Sequence, residues 1–188
     1  MRGTFRAACA MMAAGVLAAC GDSTGSGGLA ADEGLATFDY SGAVEGRFSA
    51  RGGANLTQPP TVAYAEALAR PGFVGIQAGS PRADGRFDNL ILVGSVDFAV
   101  GTFPMCLSSG PTVPCMEFRV FINSDDSPQL NPGEYVFVWP VSGSVRIDRV
   151  TASRVRGTFT GTVSSLQSDD MISITNGEFD LPIRAFPE

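Results

Sequence analysis

From Val44 onward the chain repeatedly alternates apolar and polar residues with a period of two, a pattern that dictates strands rather than helices. Val44, Gly46 and Phe48 fall on one face of a first strand. Leu90, Leu92, Val96 and Phe98 share a face of another, with Ile91 and Val93 opposite, so that strand is expected to be covered on both sides. Phe118, Val120 and Ile122 alternate with Glu117, Arg119 and Phe121, and Val145 and Ile147 with Arg146 and Asp148. Val155, Phe159 and Val163 face one way while Thr158, Thr160 and Thr162 face the other, and a row of threonines suits a solvated sheet face. In the last strand Ile172 and Ile174 hold even positions but Phe179, Leu181 and Ile183 odd ones, with Asn176-Gly177 where the phase changes. One extra residue there keeps both halves on the core face, which a β-bulge achieves; a hairpin is the alternative.

Gly-x-aromatic recurs six times between residues 46 and 179: Gly46-Phe48, Gly85-Phe87, Gly101-Phe103, Gly133-Tyr135, Gly157-Phe159 and Gly177-Phe179. Residues two apart on a strand share a face, so each pair places a glycine beside an inward ring, at a turn, a bulge or beneath a neighbouring ring. That is architecture rather than a ligand motif. Turn signals stand at Ala83-Asp84-Gly85, Asn131-Pro132-Gly133 and Ser142-Gly143. Thr61 to Arg70 is rich in Ala and open to a helical reading, yet Val62, Tyr64 and Leu68 suit a strand. Arg70-Pro71-Gly72 then reads as the turn of a hairpin whose second strand runs from Phe73 to Ala78. The expected fold is all-β, an antiparallel β-sandwich or β-barrel of roughly 8–10 strands.

The N-terminus has a different logic. Arg2 and Arg6 precede an uncharged apolar run from Ala7 to Ala19. About 13 apolar residues fit a secretion signal, and fall short of the roughly 20 that a spanning helix needs. The run ends in Leu17-Ala18-Ala19-Cys20, which resembles the bacterial lipobox. That resemblance implies cleavage between Ala19 and Cys20 and lipidation of the Cys20 thiol. An ordinary signal peptide, leaving Cys20 a free thiol, is the alternative. Two acyl chains suffice for stable anchoring, because each buried methylene contributes roughly 0.8 kcal/mol. Gly21 rather than Asp follows the cysteine, so outer-membrane delivery is expected in a cell with two membranes. Residues 1–19 are thus read as a lipoprotein signal peptide, 20–36 as the lipidated Cys with a flexible Gly/Ser tether, and 37–188 as a single β domain.

Removing Arg2 and Arg6 leaves 11 basic against 19 acidic side chains, a net charge of about −8 that disfavours nucleic acid as a partner. Four cysteines occur: Cys9 leaves with the signal and Cys20 takes the lipid, so Cys106 and Cys115 remain, in a Gly/Pro-rich stretch. Outside the cytoplasm they are expected to form a structural disulfide; the CxxC spacing of a redox pair is absent.

Val155-Arg156-Gly157-Thr158-Phe159-Thr160-Gly161-Thr162, followed by Ile174-Thr175-Asn176-Gly177-Glu178-Phe179-Asp180-Leu181-Pro182, resembles the C-terminal half of small uncharacterised bacterial envelope lipoproteins, where a GTFxG strand precedes a TNGxFxLP-like strand. The opening from Tyr40-Ser41-Gly42 to Ala50 is similar too. The resemblance implies an all-β fold and supplies no activity and no site residues.

With no His and no Lys in the chain, a Ser-His-Asp triad, an imidazole metal ligand, a Schiff base and a P-loop lysine are excluded. Carboxylate catalysis of the glycosidase type is left, with Glu45, Glu66, Asp97, Glu117 and Glu178 as candidates, each of which also reads as part of a solvated strand face. Asn123, Asp125, Ser127, Gln129, Asn131 and Glu134 place oxygens at calcium-loop spacing, but Pro128 stands where glycine is required, so a polar hairpin loop is the simpler reading. Arg146, Arg149, Arg154 and Arg156 could grip an anion or a polysaccharide, or pair across strands with acids. No cofactor is expected. The expectation is a lipid-anchored envelope protein, a non-enzymatic binding or structural module whose partner is an envelope protein, a glycan or a small hydrophobic ligand. An accessory subunit of an envelope complex and a carboxylate-dependent glycoside hydrolase are the alternatives.

Overall fold

The computed structural model describes residues 28–53, 62–107, 114–124, 134–166 and 168–185, which form ten strands and no helix. In chain order these are β1 (Gly34–Gly42), β2 (Gly46–Gly52), β3 (Tyr64–Arg70), β4 (Phe73–Pro81), β5 (Phe87–Gly94), β6 (Gly101–Cys106), β7 (Met116–Ser124), β8 (Tyr135–Val150), β9 (Arg154–Ser165) and β10 (Met171–Ala185). They make one sheet in the order β2-β1-β10-β3-β4-β5-β7-β6-β8-β9, and further pairings of β10 with β9 and of β7 with β8 bring it round into a ring.

Two long strands make closure possible. β10 pairs with β9 along one edge, and along the other with β1 at Ile172–Asp180 and then β3 at Ile183–Ala185. β8 pairs with β9 on one edge, and on the other with β7 near Phe137 and β6 near Val145. The pairing is antiparallel except for two short parallel contacts, β10 with β3 and β6 with β7. Cys106 ends β6 and Cys115 precedes β7; their disulfide, with Cα atoms 5.9 Å apart, ties the two strands together.

Inward positions fill the ring. Phe38, Phe118, Phe159, Ile76, Leu90, Leu92, Ile147 and Leu181 are all buried in one apolar cluster. Fully burying side chains of this size contributes roughly 1.5–3 kcal/mol each. Phe38 stacks on Phe48 with ring centres 4.8 Å apart and meets Phe159 at 5.8 Å; Phe159 in turn meets Phe118 at 5.9 Å and Phe179 at 6.4 Å. The Gly-x-aromatic motif explains part of this packing. Gly157-x-Phe159 on β9 runs antiparallel to Gly177-x-Phe179 on β10, so Gly157 lies opposite Phe179 and Phe159 opposite Gly177. A Cβ on Gly157 would stand 2.5 Å from the Phe179 ring, and one on Gly177 2.7 Å from the Phe159 ring. Each glycine makes room for its neighbour's ring.

The phase change in the last strand is a bulge, not a hairpin. Between Ile174 and Gly177 the register with β9 shifts, and Asn176 takes φ 52°, a left-handed conformation that asparagine tolerates better than most residues. Its amide donates to Asp39 at 2.9 Å. Tyr64–Arg70 is a strand and forms a hairpin with β4, while Thr61 lies outside the described residues. Gly85, at φ 85°, completes the expected turn before Phe87.

Three details differ from the sequence reading. Ser142-Gly143 makes no turn: β8 runs straight through it, with a register shift between Pro140 and Ser142 and φ 138° at Gly143, and passes from one neighbour to the next. Val96 and Phe98 pack on the core from beyond the end of β5. The first strand begins at Gly34, ahead of Thr37, and β1 with β2 forms an opening hairpin. Asn131-Pro132-Gly133 lies outside the described residues.

Candidate functional site

The outer face of β8, β9, β10 and β1 presents successive polar rows fixed by register. Ser142, Thr162, Ser173 and Ser41 form one row, and Arg146, Thr158, Glu178 and Thr37 another. The last row is Arg149, Arg156, Asp180 and Leu35. Thr158 and Thr160 are exposed and Thr162 half-buried, as the alternation required. At the opposite end of this face, Trp139, Ser164 and Met171 form an apolar-edged row.

The four clustered arginines divide into two kinds. Arg146 holds Asp148 at 2.7 Å. Arg154 holds Asp180 at 2.7 Å and also donates to the Asp180 carbonyl at 3.2 Å. Its remaining nitrogen reaches the carbonyls of Ala30 and Ala31 at 3.4 Å and of Glu33 at 3.1 Å. Arg184 adds a bond to the Asp32 carbonyl at 3.4 Å, and Arg51 meets the Glu33 carboxylate through two nitrogens at 2.9 and 3.2 Å. The segment leading into β1 is therefore clamped against the ring by three guanidinium groups. Hydrogen bonds from Arg51, then from the Ala30 amide, hold the Glu33 carboxyl below the usual carboxylate range.

Arg149 and Arg156 behave differently. They are direct cross-strand partners, both exposed, and neither makes a hydrogen bond or ion pair with any described residue. Together with Thr151, Arg154 and Asp180 they line a surface recess of about 310 Å³. A second recess of about 90 Å³ shares Arg156 and Asp180 and is bordered by Asp148, Thr158 and Glu178.

The other sequence candidates do not assemble into a site. Glu45 is exposed in the β1–β2 turn, exposed Asp97 accepts the Gly72 amide at 2.8 Å, and Glu117 meets Arg119 at 3.3 Å on β7. Glu178 stands exposed on β10. Glu66 departs from the expected solvated face: it is 0 % exposed, accepts from Gln77 at 2.8 Å and lies 3.4 Å from Arg184. Of the calcium-loop residues, Asp125, Ser127, Gln129 and Asn131 lie outside the described residues. Asn123 donates its backbone amide to Asp88 at 2.8 Å, and the Glu134 carboxylate accepts the Ser124 hydroxyl at 2.5 Å, closing the base of the β7–β8 hairpin. Among the described residues no three His, Cys, Asp or Glu side chains are grouped to hold a metal ion. Comparison with protein-family models, with curated proteins and with solved structures finds no match to this chain.

Proposed function

We propose that this chain is a lipid-anchored protein of the bacterial cell envelope, held in the outer membrane through Cys20, and that its β ring is a non-enzymatic binding or structural module. What carries the reading is Leu17-Ala18-Ala19-Cys20 at the end of an uncharged apolar run. The clamp on residues 30–33 is consistent with it, since a body pulled at its N-terminus gains from fixing the point where the chain joins the sheet. A core filled by interlocking rings favours a surface-binding role over carriage of a hydrophobic ligand inside the ring.

The accessory-subunit reading draws on one observation. Trp139, Val141, Leu166 and Met171 are all exposed at the end of the sheet away from the clamp, and exposed apolar groups mark protein contacts.

The anchor is tested by Cys20→Ser. Palmitate labelling is expected to vanish and the protein to leave the membrane fraction; a variant that stays membrane-bound, beside a wild type that takes no label, refutes lipidation. Cross-linking in the native envelope, followed by mass spectrometry of the linked sites, separates a partner at the Trp139 end from one at the arginine end.

A further inference from the structure

We propose that the recess between Arg149 and Arg156 is a binding site for a phosphate-class anion, the headgroup of a neighbouring envelope lipid or free phosphate. As far as its occupant is concerned, this rests on the anchored reading above.

Like charges placed directly opposite on neighbouring strands destabilise a sheet. Arg149 and Arg156 are so placed, and the acid nearest in register, Asp180, is engaged by Arg154 through contacts of 2.7 and 2.9 Å. Arg146, one row away, has its own acid in Asp148. Asp148 and Glu178 border the adjoining recess that Arg156 shares, but neither bonds Arg149 or Arg156, so the sheet keeps two facing guanidinium groups at one spot without a bonded counter-ion. Thr151 carries no charge, and its hydroxyl is occupied in the β8–β9 turn, accepting the Arg154 amide at 3.0 Å. A guanidinium presents a planar fork of donors that matches phosphate oxygens in pairs, so two forks across a recess form a clamp for one tetrahedral anion. Both arginines are exposed, so binding is expected to be modest and to weaken as salt rises.

Position supplies the source. Arg154 lines the recess and also holds the carbonyls of Ala30, Ala31 and Glu33. Cys20 precedes Ala30 by ten residues, which extend to at most about 35 Å. A domain tethered at Cys20 therefore keeps this recess within reach of the bilayer surface, while the Trp139 end of the same face points to the far side of the sheet. The chain as a whole is acidic and repelled by anionic lipid. A local cationic recess beside the tether would reverse that repulsion at a single point and fix which face the domain turns to its membrane.

The test uses the full chain carrying Cys20→Ser, so that no acyl chain contributes, with inorganic phosphate titrated calorimetrically. Phosphate is expected to bind, and Arg149→Gln with Arg156→Gln to weaken it about tenfold or more, while Arg146→Gln leaves it within about twofold. Circular dichroism confirms that each variant keeps its strands. No phosphate binding, or binding unchanged in the double variant, overturns the proposal. Co-sedimentation with vesicles of phosphatidylglycerol and phosphatidylcholine, against phosphatidylcholine alone, then assigns the source. Arginine-dependent pelleting with the anionic vesicles supports the headgroup, and phosphate binding without pelleting supports the free anion. Palmitate labelling of the unsubstituted chain reports separately on the anchor.

Discussion

The two outer faces of the ring obey the same alternation and reach opposite outcomes. On β8, β9 and β10 the outward residues are mostly Ser, Thr, Arg, Asp and Glu, with Trp139 and Met171 at one end, and most of them are exposed. On β3, β4 and β5 the outward positions include Tyr64, Glu66, Leu68, Gln77, Asn89, Ile91 and Val93, and none of them is exposed. Tyr64 and Glu66 are as buried as the inward Ala65 and Ala67 that alternate with them. The Tyr64 hydroxyl donates to Asn89 at 3.4 Å, and Arg184 reaches across from β10 to Glu66. Alternation therefore tells which residues share a face; whether the second face meets water depends on what the rest of the chain lays over it.

The largest test of this contrast is at Glu66. Its Oε2 atom and the Arg184 Nε atom have no hydrogen-bond partner apart from their own 3.4 Å approach. Arg184→Ala leaves a carboxylate buried without its counter-ion and is expected to cost about 3–5 kcal/mol by denaturant unfolding. Glu66→Gln keeps the shape, and the partly exposed Arg184 can turn to water, so its cost should be smaller. Equal losses would mean that this carboxylate is hydrated after all, and the two faces would differ less than described.

Gly79 offers a test of intermediate size. It faces outward on β4 beneath the Tyr64 ring, where a Cβ would lie 2.4 Å from a ring carbon. Gly79→Ala is expected to cost about 1–3 kcal/mol as overpacking, although the residue lies on the outside of the sheet. On the open face, Thr160→Ala should stay within about 0.5 kcal/mol of the parent in the same measurement. A costly threonine change would show that the hydroxyl row is covered, and would count against any recognition role for that surface.

These contrasts also mark how far the sequence could be read. The alternating runs, the Gly-x-aromatic pairs and the phase slip at Asn176-Gly177 predicted strands, ring packing and a bulge, because each depends on neighbours in sequence. The Cys106–Cys115 disulfide followed from elimination among four cysteines. β1 alternates too, Ala36, Phe38 and Tyr40 against Thr37, Asp39 and Ser41, although the first strand is expected only from Val44; its pairing with β10, 130 or more residues away, is what local sequence does not specify. Glu66 was legible as outward but not as buried. The four arginines were legible as a cluster, whereas their division into paired and unpaired depends on which row of β10 brings Asp180 alongside, which local sequence does not specify.

The smallest expected effect concerns the clamp at the edge of the open face. Glu33 titrates below the ordinary glutamate range because Arg51 and the Ala30 amide bond its charged form. A carboxyl depressed in this way contributes its stabilisation above the unfolded-state value and loses it as pH falls through the folded one. Acidification should therefore loosen residues 30–33 while leaving the ring intact: amide exchange in this segment should rise relative to β9, with the strand spectrum unchanged. Arg51→Gln should abolish that difference between neutral and acid pH by loosening the segment at both. If the segment instead stays protected in acid, Arg154 and Arg184, which hold backbone carbonyls that do not titrate, carry the clamp alone. The point where the chain joins the sheet would then stay fixed at any pH at which the ring itself is folded.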